Sequence, residues 1–178
     1  MSKIILIQCV DKQKTTKNKA KNIYQSAYFK KSLSYAKTLQ PDENKIFILS
    51  SKYGLLGLND EIEPYNVTFS ASLAKKHGAL FLNKSEREDW VKKVVNSLQL
   101  KTNINSDEFI ILTGKDYYKD IIDFLPNHKL PVEGLGIGEK MQFFDRESSN
   151  KWVDINCWLT IWNNHLEVGA NKMHLLFV

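Results

Sequence analysis

Short aliphatic runs alternate along this chain with stretches whose apolar residues recur at helical spacing. Residues 3–9 (Lys3-Ile4-Ile5-Leu6-Ile7-Gln8-Cys9) form a β-branched run too short for a helix and predict a buried strand. Residues 20–39 place Ile23, Ala27, Leu33, Ala36 and Leu39 at helical spacing and stop before Pro41. Residues 45–50 predict a second buried strand, and a loop rich in Gly, Asn and Pro runs from Tyr53 to about Phe69. Ser85, with Glu88 three residues on, predicts a capping box for a helix through Trp90, Val91, Val94, Val95 and Leu98. A third strand over residues 108–113 and a third helix over 115–125 follow. A short extended piece around Pro131 then leads through residues 134–138 into Met141, Phe143 and Phe144.

Strands alternating with helices imply an α/β fold, here expected as three layers: a mostly parallel sheet with helices on both faces. The chain divides into an α/β domain over residues 1–148 and a Trp-rich extension over 149–178, packing on the same domain. Trp152, Trp158 and Trp162 read there as core, and the extension is expected either to cover a sheet edge or to build a homodimer contact. In such folds ligands bind where strands end. That rule selects residues 9–14, 50–66 and 113–118, each following a predicted strand.

Composition narrows the class. Of 178 residues, 43% are hydrophobic and 25% charged, ordinary globular proportions that exclude a disordered chain. No apolar run approaches the roughly 20 residues that span a bilayer, and no basic-then-apolar leader opens the chain, so a cytoplasmic protein without a membrane partner is expected. Cys9 and Cys157 form no disulfide framework, and His77, His128, His165 and His174 show no metal-ligand spacing. No metal and no cofactor is expected.

Charge changes the picture more. Residues 1–40 hold nine lysines against the single acid Asp11, a local excess of +8, while the rest of the chain sums to −3. A basic cluster of this kind attracts phosphates; the alternative is a solvated face in a lysine-rich chain with only two arginines, Arg87 and Arg146. Within it, Lys12 and Lys14 lie at a strand end and are the expected phosphate contacts, whereas Cys9 reads first as a small core residue. After the second strand, Ser50-Ser51-Lys52-Tyr53-Gly54 and Glu63-Pro64-Tyr65-Asn66 gather charge, hydroxyls and aromatic rings, with a glycine that lets backbone approach a ligand.

The stretch from Ile48 to Tyr65 resembles the signature of a bacterial and phage domain family of unknown function. Members of that family carry a strand ending in Cys-Gly-x-x-Lys, then Ile-Leu-Ser-Ala-Lys-Tyr-Gly-Leu-Leu and a later Pro-Tyr-Asp. Here the corresponding residues are Cys9 to Lys14, Ser50-Ser51-Lys52-Tyr53-Gly54-Leu55-Leu56 and Pro64-Tyr65-Asn66. Thr113-Gly114-Lys115-Asp116-Tyr117 resembles the family's Gly-x-x-Tyr, and residues 131–138 its Pro-Leu-x-Gly-Leu-x-Ile-Gly. The Tyr-Gly-Leu-Leu with a following Pro-Tyr is also similar to the peroxide-stress YaaA family and, more distantly, to uracil-DNA-glycosylase-like domains. Those resemblances imply DNA or a nucleotide as ligand and a uracil-DNA-glycosylase-like fold. Asn66 stands where the family has aspartate, and Val10 replaces a glycine.

The first functional expectation is therefore a nucleic-acid-acting, DNA-glycosylase-like protein that recognises or releases a base, modified or not, extruded from the strand. Lys12, Lys14, Ser50, Ser51 and Lys52 would hold phosphate; Cys9, Tyr53, Gly54, Tyr65, Gly114 and Tyr117 would surround the base. Glu63, Asp11 and Asn66 would serve the hydrolysis of the N-glycosidic bond. The alternatives are a non-catalytic DNA-binding protein of stress response or phage–host conflict, and a nucleoside- or nucleotide-processing enzyme.

Overall fold

Four consecutive aliphatic residues, Ile4 to Ile7, none more than 2% exposed, run through the middle of the fold as strand β1 (Lys3–Gln8). A strand buried on both faces has no polar side, which is why its sequence does not alternate. The computed structural model describes residues 1–149. After β1 come β2 (Asn18–Lys19), α1 (Ala20–Ile23), α2 (Ala27–Leu39), β3 (Ile46–Ser50), β4 (Gly54–Gly57), β5 (Glu61–Ile62) and β6 (Val67–Thr68). Then follow α3 (Ala71–His77), β7 (Leu80–Phe81), α4 (Lys84–Lys101), β8 (Glu108–Ile111), α5 (Lys115–Tyr118) and β9 (His128–Lys129). A last helix, α6, occupies residues 137–149. The Trp-rich extension expected beyond residue 149, with its proposed edge or dimer role, lies outside the described residues.

The five-stranded sheet has the order β4-β3-β1-β8-β9. The β3–β1, β1–β8 and β8–β9 ladders are parallel and β4 is antiparallel to β3, so the sheet is mixed. Side chains alternate across it. Ile5 and Ile7 pack with Tyr24, Phe29, Ala36 and Phe144, the face covered by α1, α2 and α6. Ile4 and Leu6 pack with Trp90, Val94, Val95 and Leu98, the face covered by α4. The expected α/β class holds, with helices on both faces.

Four local expectations are corrected. The single helix over 20–39 is broken between Ile23 and Ala27, because Tyr24 bridges to Gln13 and the Gln25 amide donates to the Lys12 carbonyl at 2.8 Å. Ser26 then caps α2 by accepting from the Phe29 amide. The capping box of α4 is Asn83 with Glu86, not Ser85 with Glu88, so the helix starts earlier. The loop after Tyr53 contains β4, formed because Gly54 (φ 80°) turns the chain back along β3. The helix expected over 115–125 shortens to α5 and a separate 3-10 turn at Ile122–Phe124.

Candidate functional site at the carboxyl ends of the central strands

Strands β1, β3 and β8 run parallel, so the segments leaving them meet at one edge of the sheet. Cys9, 4% exposed, lies there with its Sγ 3.1 Å from the Tyr117 hydroxyl and 3.8 Å from Ser51 Oγ. Ser51 Oγ donates to the Val67 carbonyl at 2.7 Å, tying β3 to the start of β6. The Tyr65 hydroxyl shares hydrogen bonds with Ser50 Oγ at 2.7 Å and the Tyr24 hydroxyl at 2.9 Å. Ser50 Oγ also accepts from the Tyr53 amide at 3.0 Å. Below this chain of hydroxyls, Trp90 Nε1 donates to the Ser50 carbonyl at 2.7 Å. Phe69 makes edge contacts with Trp90 and Tyr117 at 4.8 and 5.1 Å.

The rim is held as firmly as the floor. Gln13 donates to the carbonyls of Val10 and Tyr65 and accepts from the Tyr65 amide, each at 3.1 Å, so one amide side chain docks residues 10–14 against the Tyr65 loop. The Tyr53 ring stands edge-on to Tyr65 at 5.3 Å, and its hydroxyl donates to the Glu63 carbonyl at 3.3 Å. The Lys52 ammonium lies 5.0 Å from the Tyr53 ring centroid and 5.9 Å from that of Tyr65.

Burial sets the electrostatics. It raises the phenols of Tyr24, Tyr65 and Tyr117 well above the ordinary tyrosine value, and negative charge on Cys9 would raise them further. All three hydroxyls therefore stay protonated at neutral pH and remain able to donate.

The expected site residues divide into two groups. Cys9, Ser50, Ser51, Tyr53, Tyr65 and Tyr117 are drawn together by the contacts above. Lys52 covers the tyrosine pair, and Lys12 and Lys14 are exposed on either side of Gln13, with no ion pair among the described residues. Gly54 is buried against the Lys93 side chain of α4, its position in the hairpin fixed by its positive φ. The Asn66 side chain turns elsewhere and donates to the carbonyls of His77 and Gly78, both at 3.2 Å, closing the end of α3. Asp11 is exposed and accepts from the Lys12 amide at 2.8 Å, and the Glu63 carboxylate is exposed at the rim.

Sequence reasoning missed two polar residues. Gln8 Oε1 accepts from the Gly114 amide at 2.5 Å, joining the ends of β1 and β8. Lys140 on α6 is only 8% exposed, with its ammonium 3.4 Å from the Thr113 carbonyl. Spacing gave a usable signal: Lys140 lies four residues before the buried Phe144, hence on the same, inward face of α6.

A family model described as a family of unknown function (DUF6884) matches residues 4–146, which include every residue of this cluster. The chain belongs to that family. No curated protein and no solved structure matches it. The segment matched in this DUF6884 chain ends inside α6, so Lys140 lies within it. Among its described residues, no group of three or more His, Cys, Asp or Glu side chains is placed to hold a metal ion, and no helix is long and apolar enough to cross a membrane. Two surface clefts, of about 360 Å³ beside Gln99 and Asn103 and about 450 Å³ between Lys31 and Ser148, are lined by none of the cluster residues.

Proposed function

We propose that this chain acts on nucleic acid by taking one nucleotide, its base turned out of the strand, at the carboxyl ends of β1, β3 and β8. The observation that carries the proposal is the docking of residues 10–14 on Tyr65 through Gln13, which brings the segment bearing the exposed Lys12 and Lys14 against the loop of an aromatic pair overlain by Lys52. Aromatic faces hold bases by stacking, and lysines hold phosphate by charge and counterion release. Tyr53 and Tyr65 offer the faces; Lys12, Lys14 and Lys52 offer the charge. The α/β architecture and the likeness of the Tyr-Gly-Leu-Leu and Pro-Tyr motifs to uracil-DNA-glycosylase-like domains support the same ligand.

The chemistry that fits is release of that base by hydrolysis. Water adds to the anomeric carbon as the carbon–nitrogen bond breaks, and the base leaves with a proton. Glu63 is the carboxylate to orient that water, since its backbone is held at the rim by the Tyr53 hydroxyl. A second reading, a DNA-binding protein without turnover, is favoured by the groups inside the cluster: thiol, hydroxyls and amides, with the Asn66 amide committed to α3.

The test is mass spectrometry of bases released from unmodified and modified DNA, beside a filter-binding measurement on the same DNA. Release by the native protein, lost in Glu63→Gln with binding retained, supports hydrolysis. Binding without release moves the assignment to the second reading, and neither binding nor release overturns both.

A further inference from the structure

Strands β1 and β8 are neighbours, yet the chain leaves them toward opposite faces of the sheet. After β1 it passes to α1 and α2 on the Ile5 and Ile7 side; after β8 it passes to α5, whose Tyr118 packs on the Ile4 and Leu6 side. The gap between two such strands is where α/β sheets open a crevice for ligands. Here Gln8 reaches across the gap to the Gly114 amide, alongside the Tyr117–Cys9 contact.

Two features of that gap bear on what it holds. Lys140 is brought there by α6, which is anchored by Phe144 stacking on Tyr35 at 5.7 Å. Its ammonium is buried against the Thr113 carbonyl, and no carboxylate pairs with it among the described residues. Glu139, next in the helix, is turned back to the Gly136 amide, and Glu133 accepts from Tyr118. Burial disfavours the charged form of this lysine and lowers its pKa, so an unpaired ammonium here works against stability. The second feature is Gly114. Its φ of −77° and ψ of 157° suit any residue, so the backbone does not require glycine. What glycine allows is close approach: a β-carbon would stand 3.3 Å from Gln8 Oε1, tighter than ordinary contact, and 3.9 Å from Lys140 Nζ.

We propose that Lys140 is an anion-binding residue, receiving a phosphate of the bound nucleotide at the carboxyl end of β8, beside Thr113 and Gly114. The inference rests on the nucleotide reading above and adds to it a buried contact, separate from the exposed lysines of the rim. A phosphate placed there supplies the counter-charge that the fold withholds. The same chemistry is offered by a phosphodiester of a strand and by the phosphate of a free nucleotide.

Titration calorimetry on the full chain separates these. The probes are inorganic pyrophosphate, a set of deoxynucleoside 5′-monophosphates, and a single-stranded oligonucleotide. The proteins are native, Lys140→Met, Lys140→Arg and Gly114→Ala. The expected result is that Lys140→Met weakens at least one phosphate-bearing probe tenfold or more, that Lys140→Arg loses less, and that the thermal midpoint of Lys140→Met without ligand is equal to or above native. Loss with the oligonucleotide alone identifies the diester as the source; loss with the monophosphates identifies the free nucleotide. Should Lys140→Met not fold, Gly114→Ala decides: at least fivefold weaker binding supports the site, and unchanged binding overturns it. Native binding that Lys140→Met leaves unchanged overturns the inference while the nucleotide reading stands. Oligonucleotide and monophosphates both failing to bind native protein overturns the nucleotide reading; pyrophosphate binding that needs Lys140 would then still support the anion site, and its absence overturns that as well.

Discussion

The phenol of Tyr117 lies 3.1 Å from the thiol of Cys9, across 108 residues of sequence. The contact closes the ends of β8 and β1 on each other, and the Tyr117 ring is independently held edge-on by Phe69. Tyr117→Phe removes the hydrogen bond and keeps the ring. Its expected cost in urea unfolding is about 0.5–1.5 kcal/mol, the net worth of one such bond. A loss above about 3 kcal/mol would show that the hydroxyl organises the whole strand-end cluster.

Alkali is expected to unfold this protein through its buried tyrosines. Burial lifts Tyr28 from the ordinary value of 10.0 up to about 12, and Tyr24, Tyr65 and Tyr117 are raised in the same direction. In the unfolded chain these phenols ionise near pH 10, so above that pH the unfolded state holds fewer protons than the native one. Stability is therefore intact below pH 10 and falls as pH rises through the folded values. Tyr28 alone accounts for about 2–3 kcal/mol between pH 10 and 12. Urea midpoints measured from pH 8 to 12 are expected to fall steeply above 10, and less steeply in Tyr28→Phe; parallel curves for the two proteins would count against this assignment.

Trp90 joins helix α4 to the site floor through its indole bond to the Ser50 carbonyl. Trp90→Phe leaves that buried carbonyl without its partner and loosens the edge contact to Phe69. The expected cost is about 2–4 kcal/mol, the sum of an unmet acceptor and lost packing. A loss below about 1 kcal/mol in chemical denaturation would mean the floor does not depend on this bond.

Local pattern made the central strands legible. Ile4 to Ile7 and Ile46 to Leu49 are apolar on both faces, and only a doubly covered sheet accommodates that. It failed where a distant partner decides. Nothing near Tyr24 breaks a helix; the break comes from Gln13 and Lys12, which pair with Tyr24 and Gln25. The motif around Tyr53 and Tyr65 pointed to Ser50 and Ser51 as phosphate contacts; both are buried, their hydroxyls bonded to Tyr65 and to the Val67 carbonyl, partners that the linear motif does not show. Asn66 shared that motif, yet its amide serves α3, a partner visible only once the 66–78 segment folds back. Lys140 was obscured by composition, since one lysine among many carries no mark of burial until Phe144 fixes the face of α6.

Gly54 is the hairpin position where a side chain is expected to fail. Its φ of 80° lies in the left-handed region, and a β-carbon would stand 3.2 Å from Lys93 Cδ. The lysine stem can yield, so the backbone term dominates, at about 1–2 kcal/mol for Gly54→Ala. Because Tyr53 precedes it, the substitution is also expected to weaken oligonucleotide binding. Double substitution Gly54→Ala with Lys93→Ala distinguishes the causes: recovery of stability would assign the loss to the side-chain contact, and no recovery to the backbone.

Lys12 and Lys14 flank the glutamine that docks their loop on Tyr65, so their charges belong to the site if phosphate is bound there. Each lysine–phosphate contact contributes roughly 0.7–0.9 to the slope of log affinity against log salt concentration. Removing both by alanine substitution is expected to flatten that slope by about 1.4–1.8 and to weaken binding most at low salt. Lys92→Ala is the control, since that lysine is already paired with Asp89 on α4. Two outcomes count against the placement. An unchanged slope in the double variant means that the rim lysines do not touch phosphate. An equal flattening in Lys92→Ala means that the effect is the net charge of the protein, because screening at a distance acts on any exposed lysine alike.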